Sequence, residues 1–312
     1  MSFLEEPVRN FQQLLEVAQR LGPKRIAVAV AQKKVVLQSV HEAEKLGLAD
    51  AVLIGDQEEI IHIGNEIDWQ IPAGKIVNEL DYTVGIRRAV EMVRAGEASM
   101  IMKGKATSAD IYRVALDKEM GLRTGRFLSQ VVVFKLPQYD RLMLMSDSSV
   151  SITPNLLQKA DICRNCIDVA HALGISMPKV AAIAALELVN PDIPSTVDAA
   201  CLAVMNQRNQ ITGAIIDGPI SIDAALTEWA AEEKGFKSCV AGCTDIFACP
   251  NLDAANIFLR AINYLAQGDL GGVVVGAAAP ILVLSRAESV ETKINSICLG
   301  VLLAGAKEQG ML

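Results

Sequence analysis

Residues 98–134, ASMIMKGKATSADIYRVALDKEMGLRTGRFLSQVVVF, contain the pattern that decides the fold. The run ASMIMK (98–103) is apolar and strand-like, a helical pattern follows over 107–119, and VVVF (131–134) is again strand-like. Strands and helices that alternate in this way are typical of βαβ units. The sequence therefore predicts a mostly parallel sheet with flanking helices.

The same alternation covers most of the chain. Further strands are predicted at 25–31, 51–55, 141–145, 179–186, 211–217, 244–249, 271–276 and 280–284. Further helices are predicted at 32–47, 83–95, 154–173, 194–209, 221–234, 253–267 and 289–306. Only KLPQYD separates VVVF from RLMLM, which is too short for a crossover helix. These two strands should therefore be antiparallel and mark a change of sheet or domain.

Length and composition favour two domains. A chain of 312 residues is longer than a usual single domain. Hydrophobic residues make up 51% and aromatic residues 4%, a composition typical of buried parallel sheets covered by helices. We predict one α/β domain from residues 1–138 with 275–312 and a second from 139–274. Because polar strand ends occur in both parts, we expect the site in a cleft between them.

Charge and patterning exclude several classes of function. The net charge of -7 argues against nucleic acid and anionic membranes as partners, since both require a basic face. No apolar run reaches the ~18 residues of a membrane span, and MSFLEEPVRN does not resemble a signal peptide. We therefore expect a cytoplasmic protein.

The sequence has seven cysteines, an odd number, which indicates reduced thiols. Cys163 and Cys166 form a CxxC inside a helical pattern, which favours buried thiols over a metal or redox site.

The segment after ASMIMK is the first candidate for anion binding. Gly104 would let backbone N–H groups approach an anion, and the hydroxyl of Thr107 at the helix start would add a donor. A helix cap with solvated lysines explains the same residues, and both interpretations stay open. The segment also concentrates positive charge, at Lys103, Lys105, Arg113, Arg123 and Arg126. In an acidic protein this concentration suggests phosphate.

Three more strand-to-helix loops carry polar side chains, at 145–162, 216–230 and 241–262. In the first loop, helix capping explains one hydroxyl and leaves Asp147 without a structural task. In the second, Asp217 and Asp223 have a strong alternative explanation as turn and first-turn carboxylates. The third loop contains Asp245, Asn251, Asp253 and Asn256. All three loops remain candidates for a ligand site.

The last candidate is 284-LSRAESVETKINS-296. Ser285 and Arg286 stand where the last predicted strand leaves the sheet. Ser289 is the predicted N-cap of the next helix, with Glu291 in its first turn. An arginine at this point offers a planar fork of donors that suits phosphate or a polarised carbonyl oxygen.

These segments, in this order, resemble the phosphate acetyl/butyryl transferase family, most closely its phosphate butyryltransferase branch. The resemblance extends from about residue 50 to residue 304 and depends on 102–134, 146–156, 216–223, 240–257 and 285–297. It implies transfer of an acyl group between coenzyme A and inorganic phosphate, with no cofactor beyond the coenzyme A thioester substrate. It also implies a two-domain α/β fold like that of isocitrate and isopropylmalate dehydrogenases, and a homodimer or higher homo-oligomer.

The resemblance also assigns residues. Ser285 and Arg286 match the family's Ser-Arg pair at the phosphate and thioester. The acetyl branch has an aspartate, its proposed base, at the position of Thr292. The butyryl branch has acids at the positions of Glu288 and Glu291, so either could be the base. We assign substrate binding to Lys103, Gly104, Thr107, Arg123, Ser129, Asp147 and Thr292.

Three other functions stay open. A metal-dependent decarboxylating dehydrogenase would use the aspartates of the second and third loops, but the G-x-G-x-x-G fingerprint is missing. A phosphate:acyl-carrier-protein acyltransferase would need a basic docking face. A non-catalytic acyl-CoA sensor is the third. Since one methylene is worth only ~1 to 3 kcal/mol, the sequence does not rank acetyl, butyryl and branched acyl groups.

Overall fold

A computed structural model describes Leu4, residues 6–283 and residues 288–311. Its strands are β1 (Lys24–Ala29), β2 (Ala49–Gly55), β3 (Ile76–Asn78), β4 (Met100–Lys103), β5 (Ser129–Lys135), β6 (Met143–Ser146), β7 (Lys179–Ile183), β8 (Ile215–Ile220), β9 (Ile246–Ala248), β10 (Asp269–Val275) and β11 (Ile281–Leu282). Its α-helices are α1 (Phe11–Leu21), α2 (Lys34–Lys45), α3 (Gln57–Glu66), α4 (Tyr82–Arg94), α5 (Ser108–Ala115), α6 (Leu156–Ala172), α7 (Pro194–Gln207), α8 (Ile222–Leu226), α9 (Glu228–Glu233), α10 (Leu252–Arg260) and α11 (Val290–Glu308). None of these helices combines the length and hydropathy that a membrane span requires.

The chain divides into two compact units. Unit 1 contains the N-terminal residues up to Phe11 and Phe127–Leu270, and unit 2 contains Gln12–Arg126 and the chain from Gly271 onward. The predicted boundaries were 138/139 and 274/275. β5 pairs with β6, so both strands belong to unit 1. The predicted domain boundaries remain a prediction. The predicted cleft remains a prediction.

In unit 2 the strands lie in the order β3-β2-β1-β4-β11-β10. Neighbours from β3 to β11 are parallel, and β10 and β11 are antiparallel, with Val274 opposite Ile281. α4 packs on β1, and α11 packs on β11 and α2. From Lys293 to Ala306, α11 is continuously buried. The predicted α/β class with a mostly parallel sheet is confirmed.

In unit 1 the order is β5-β6-β9-β7-β8. β5 and β6 are antiparallel, with Val132 opposite Met145, as the short KLPQYD connection predicted. The other neighbours are parallel. Phe134 and Phe247 on the sheet and Phe258 on α10 pack with ring centroids 5.6 to 6.0 Å apart. These rings form part of an otherwise largely aliphatic core.

Candidate active site

The carboxyl ends of β1 and β4 form a topological switch point in unit 2. From β1 the chain continues to β2 and β3 on one side, and it then returns to β4 on the other side of β1. In α/β sheets, ligands bind in the crevice beyond strand ends at such a point. The first predicted anion-binding segment begins here, because Lys103 is the last residue of β4.

Gly104 lies where the loop after β4 meets the loop after β1. Its N–H donates to the Ala29 carbonyl at 2.9 Å, and the Lys105 N–H donates to the Val30 carbonyl at 2.7 Å. A Cβ on Gly104 would lie 2.0 Å from the Val30 carbonyl oxygen, and Val30 itself has a positive φ of 57°. The close contact of the two loops therefore requires the glycine. Both N–H groups are used in this contact, not directed towards an anion.

The cationic side chains of this segment have different surroundings. Lys103 is only 8% exposed. Lys105 donates to the Glu59 carboxylate at 2.9 Å, and this hydrogen bond raises the pKa of Lys105. Arg113 is 3.0 Å from Asp110 beside a cavity of about 370 Å³ between α4 and α5. Lys105 and Arg113 are thus partly neutralised by carboxylates at the surface, and Lys103 differs from them in being buried.

Thr107 is the N-cap of α5, as the capping interpretation proposed. Its hydroxyl oxygen accepts from the Asp110 N–H at 3.1 Å, and the hydroxyl donates to the Asp110 carboxylate at 2.5 Å. The second hydrogen bond lowers the pKa of Asp110. Capping therefore accounts for this hydroxyl, and its assignment to substrate binding remains a prediction.

Arg123 is exposed and belongs to a short extended segment. It forms an isolated antiparallel bridge with Ala277, and the neighbouring Thr124 hydroxyl donates to the Gly276 carbonyl at 2.6 Å. These bonds connect the basic segment to the chain that leads into β11. Arg123 is therefore anchored through its main chain while its side chain remains accessible.

Ser285 and Arg286 lie outside the described residues, but the helix that follows them is described. The Ser289 hydroxyl accepts from the Thr292 N–H at 3.1 Å and caps α11, so this predicted N-cap is confirmed. Glu291 is exposed in the first turn, whereas Glu288 and Thr292 are half-buried. The two candidate bases thus have different environments.

Lys293 is a buried cation that the sequence analysis missed. It is 1% exposed, and its Nζ donates to the Glu288 carbonyl oxygen at 2.5 Å. Burial and the charge of Lys33, the N-cap of α2, lower the pKa of Lys293, and the charge of Glu288 opposes this shift. A signal was present in the sequence, because the helix after Lys293 is apolar up to Ala306 apart from Asn295 and Ser296, and so leaves no solvated face for a lysine.

Gln32 is a second buried polar residue at this edge. It follows β1, is 3% exposed, and its Oε1 has no hydrogen-bond partner among the described residues. Gly55 at the end of β2 makes room for it, since a Cβ there would lie 2.1 Å from Oε1. A buried acceptor of this kind requires an explanation, such as a ligand or water donor.

Asp147 has a structural task in unit 1, which corrects the sequence interpretation. Its carboxylate accepts from the N–H groups of Gln130, Ser149, Val150 and Ser151 at 2.9 to 3.2 Å. Burial raises the pKa of Asp147, and these four hydrogen bonds oppose the shift. No local pattern indicates these hydrogen bonds, because they form only when the loop folds back around the carboxylate. The predicted role of Asp147 in substrate binding is untested.

Ser129 is also fully buried in unit 1. Its hydroxyl oxygen accepts from the Asn165 amide at 2.7 Å, and the same amide donates to the Phe127 carbonyl at 2.8 Å. These bonds attach the start of β5 to α6. They give Ser129 a structural partner, while its assignment to substrate binding remains a prediction.

Two residues of the 216–230 loop, Ser221 and Asp223, belong to an ion cluster around Lys234. The ammonium donates to Glu187 at 2.9 Å, to Ser221 at 2.7 Å and to Asp223 at 2.8 Å. The bonds from Lys234 and Ser221 lower the pKa of Asp223 to about 2. Asp223 is thus a first-turn carboxylate, as predicted, and its lysine partner, which was not predicted, follows eleven residues later.

The 241–262 loop is mainly structural. Asp245 is 2.9 Å from Arg141 and accepts from the Lys179 N–H at 2.9 Å, Asn251 caps α10, and Asn256 donates to the Ser148 carbonyl at 3.2 Å. Within the described part of the chain, no three His, Cys, Asp or Glu residues are grouped so that they could hold a metal ion.

The predicted CxxC lies in α6. Cys163 and Cys166 are buried and free, and burial raises the pKa of both thiols, to about 12 for Cys163. Their neutral form is therefore favoured, as expected for thiols that serve as core residues.

In a mostly parallel α/β fold, ligands bind beyond the strand ends at a switch point, and here Lys103 ends β4 at that place. Comparison with known proteins gives the class. The sequence model described as "Phosphate acetyl/butaryl transferase" matches residues 82–301. The chain belongs to this family, and the resemblance inferred from the sequence is confirmed.

Individual relatives agree with this assignment. The phosphate butyryltransferase of Clostridium acetobutylicum is 44% identical over 96% of this chain and 100% of that protein. The phosphate acetyltransferase of Thermotoga maritima is 40% identical over 94% of this chain and 99% of that protein. The structure of a branched-chain phosphotransacylase from Enterococcus faecalis superimposes with a TM-score of 0.77 at 26% identity, over 90% of this chain and 99% of that one. These three proteins are each named as a phosphate acyltransferase or a phosphotransacylase.

Proposed function

We propose that this protein transfers a short-chain acyl group between coenzyme A and inorganic phosphate, forming acyl phosphate and free coenzyme A. The observation that carries the proposal is the 44% identity with a phosphate butyryltransferase over nearly the whole of both chains. The buried lysines at the end of β4 and at the start of α11, Lys103 and Lys293, support it, because both substrates carry phosphate groups.

The reaction needs no covalent intermediate on the protein. A phosphate oxygen attacks the thioester carbonyl carbon, a C–O bond forms, the C–S bond breaks, and the thiolate of coenzyme A leaves and takes up a proton. The site must hold two anionic substrates together and stabilise the developing oxyanion. In this proposal, Arg286 and Lys103 offset the phosphate charge and Ser285 donates to the oxyanion. In the reverse direction, Glu288 or Glu291 accepts the thiol proton.

Butyryl or a branched short chain is the proposed acyl group. The relative named for butyryl transfer is 44% identical to this chain, and the one named for acetyl transfer is 40% identical. Sequence identity alone therefore favours butyryl over acetyl only slightly. The structural neighbour named as a branched-chain enzyme adds to the preference for longer groups. The ratio of kcat/KM for acetyl-, butyryl- and isobutyryl-CoA tests this part.

Location and assembly are also part of the proposal. All seven cysteines are free, which suits a reducing, cytoplasmic compartment.

Three large apolar side chains on α10 and the turn that follows are 63 to 84% exposed: Ile257, Tyr264 and Leu265. This exposure supports a homo-oligomer contact through unit 1. Sedimentation of the protein and of Leu265→Asp would test this, since a dimer through this surface should dissociate in the variant.

The experiment that tests the function uses purified protein, butyryl-CoA, phosphate and a thiol reagent. We expect thiol release that depends on phosphate and is absent when sulfate replaces it. Release without phosphate would indicate a thioesterase, and binding without release would indicate an acyl-CoA sensor. Butyryl-carrier protein as the donor tests the carrier-protein alternative.

We propose that the reaction needs no metal or nucleotide, so activity should survive chelation. A loss of activity that zinc or magnesium restores would overturn this proposal.

A further inference from the structure

A lysine and a cysteine of unit 1 are in direct contact at the amino ends of β7 and β9. The Lys179 ammonium donates to the Cys243 Sγ at 2.9 Å. Lys179 is the first residue of β7, and Cys243 ends a turn in which its N–H donates to the Val240 carbonyl at 3.2 Å. Both residues are half-buried, so a reagent in solution can reach them. Two nucleophilic groups therefore lie side by side at the surface.

Further contacts fix both members of this pair. The main-chain N–H of Lys179 donates to the Asp245 carboxylate at 2.9 Å, and that carboxylate is 2.9 Å from Arg141. The sulfur of Cys243 lies 3.3 to 3.6 Å from the carbonyl oxygens of residues 239–241 in its own turn. The contact between Nζ and Sγ is thus part of a connected set of bonds at this end of the sheet.

The surroundings of Cys243 are those of a reactive thiol. Positive charge beside a cysteine stabilises the thiolate, which is the nucleophilic form. The hydrogen bond to Cys243 is the main cause that raises the pKa of Lys179, the charges of Cys243, Cys239 and Asp245 act in the same direction, and burial opposes them. An acyl group on the sulfur would remove its charge, so acylation of Cys243 would make the neutral amine of Lys179 easier to form.

We propose that Cys243 and Lys179 form a self-acylation site, at which acyl-CoA acylates the sulfur and the acyl group then passes to the lysine. The Cys243 thiolate attacks the thioester carbonyl carbon, and a new C–S bond forms. The C–S bond to coenzyme A breaks, and the coenzyme A thiolate leaves and takes up a proton.

The second step moves the acyl group from sulfur to nitrogen. Lys179 loses a proton to water, and its neutral amine attacks the same carbonyl carbon. A C–N bond forms, the C–S bond to Cys243 breaks, and one of the two amine protons returns the sulfur to a thiol. The sum of both steps converts acyl-CoA and a lysine ammonium into an amide, free coenzyme A and a proton.

The short distance between the two groups should make the second step fast. The carbonyl carbon of the intermediate is bonded to Sγ, and Nζ lies 2.9 Å from that sulfur, which brings amine and carbon close to an attack geometry. Intramolecular reactions of this kind have effective molarities far above the concentration of any free donor. Lys179 should therefore be acylated faster than a lysine that reacts with acyl-CoA directly. The reaction is stoichiometric and goes beyond the proposed function, because it needs no phosphate.

The test incubates the purified protein with butyryl-CoA without phosphate and follows butyrylation of each lysine by mass spectrometry. We expect Lys179 to react at least about tenfold faster than Lys118, an exposed lysine of unit 2. Cys243→Ser should slow the reaction at Lys179 about tenfold or more, because a serine hydroxyl without a base is a weak nucleophile. Cys239→Ser is the matched control at an exposed cysteine four residues earlier, and it should change the rate less than about twofold.

Lys179→Arg isolates the first step. Arginine keeps the positive charge beside the sulfur, and its guanidinium does not accept the acyl group because it stays protonated. The butyryl group should therefore remain on Cys243 as a thioester, which hydroxylamine removes. The amide on Lys179 of the wild type should resist the same treatment.

Three results would overturn the proposal. The first is equal butyrylation of Lys179 in the wild type and in Cys243→Ser. The second is an equal loss in Cys239→Ser, which would assign the role to Cys239. The third is the absence of a thioester on Cys243 in folded Lys179→Arg, which decides the question even if Cys243→Ser does not fold. Failure of the proposed function would appear instead as a lack of phosphate-dependent release of coenzyme A, which none of these measurements uses.

Discussion

Gly104 and Val30 approach so closely that a Cβ on the glycine would lie 2.0 Å from the valine carbonyl oxygen. The contact connects the loops after β1 and β4 at the switch point of unit 2. Because backbone is the obstacle, a larger residue cannot be accommodated by a change of rotamer. The geometry of this edge therefore depends on a glycine at position 104.

Gly104→Ala should destabilise unit 2 by about 3 kcal/mol, because the two loops must separate and lose their hydrogen bonds. Calorimetric melting would measure the effect. Gly74→Ala is the control, since Gly74 has open space around its Cβ position and should melt as the wild type does. An unchanged melting temperature for Gly104→Ala would contradict the observed contact.

Thr107 can be tested for its two roles separately. Thr107→Ala should lower stability by about 1 kcal/mol through loss of the helix cap. Thr107→Asp should restore the cap only in part, because its carboxylate would repel that of Asp110, and it should raise the KM of phosphate if an anion binds beside it. Urea unfolding and steady-state kinetics give the two values. The corresponding change at Thr227, the N-cap of α9 in unit 1, is the control. An unaltered phosphate KM in Thr107→Asp would leave Thr107 with capping alone.

The two candidate bases should respond differently to amide substitution. Glu288 is half-buried beside Lys293, whereas Glu291 is exposed in the first turn of α11, where the helix dipole explains a carboxylate. We expect Glu288→Gln to lower kcat about a hundredfold and to flatten its pH dependence, and Glu291→Gln to cost at most about 1 kcal/mol in stability. The pH–rate profiles of both variants decide between them. The opposite ranking would assign the base to Glu291.

The sequence predicted the long periodic elements well, and the misses have physical reasons. β3 is a three-residue strand with mainly half-buried side chains, so it lacks an apolar run. α3 was missed although Asp56 is its N-cap and Glu58 and Glu59 stand in its first turn, a signal that was present. The helix predicted at 221–234 is interrupted at Thr227, which is extended and caps α9.

At the candidate site, contacts between residues close in the sequence could be predicted, whereas contacts between distant residues could not. The caps at Thr107 and Ser289 depend on residues three positions away, so the sequence could reveal them. The partner of Asp223 is Lys234, and the contact of Gly104 is with Val30. Such pairs are decided by the tertiary fold, and no local pattern in the sequence announces them.

The Lys234 cluster predicts how stability depends on pH in the acid range. The pKa of Asp223 is lowered to about 2, so the carboxylate contributes stability above its unfolded pKa near 3.8 and loses it as the pH falls towards 2. Since Asp223 is more than half exposed, the contribution at neutral pH should be below about 1 kcal/mol.

Lys234→Met should remove this contribution and flatten the decline of stability between pH 4 and pH 2. Urea unfolding at a series of pH values measures it, with Lys237→Met as an exposed control. Identical curves for the wild type and Lys234→Met would contradict the prediction.

The central claim, that acyl transfer to phosphate takes place at the Ser285–Arg286 pair, is tested most directly by the kcat of Arg286→Ala with butyryl-CoA and phosphate. Loss of the guanidinium should remove on the order of 3 kcal/mol of transition-state stabilisation, a rate loss of roughly a hundredfold or more. Arg286→Lys should recover part of the rate, since it keeps the charge and loses the fork, and Ser285→Ala should cost less than Arg286→Ala. Arg208→Ala, at an exposed arginine of unit 1, should have no effect. A folded Arg286→Ala protein with near-normal kcat would contradict the claim and reduce the Ser-Arg pair to the end of a strand.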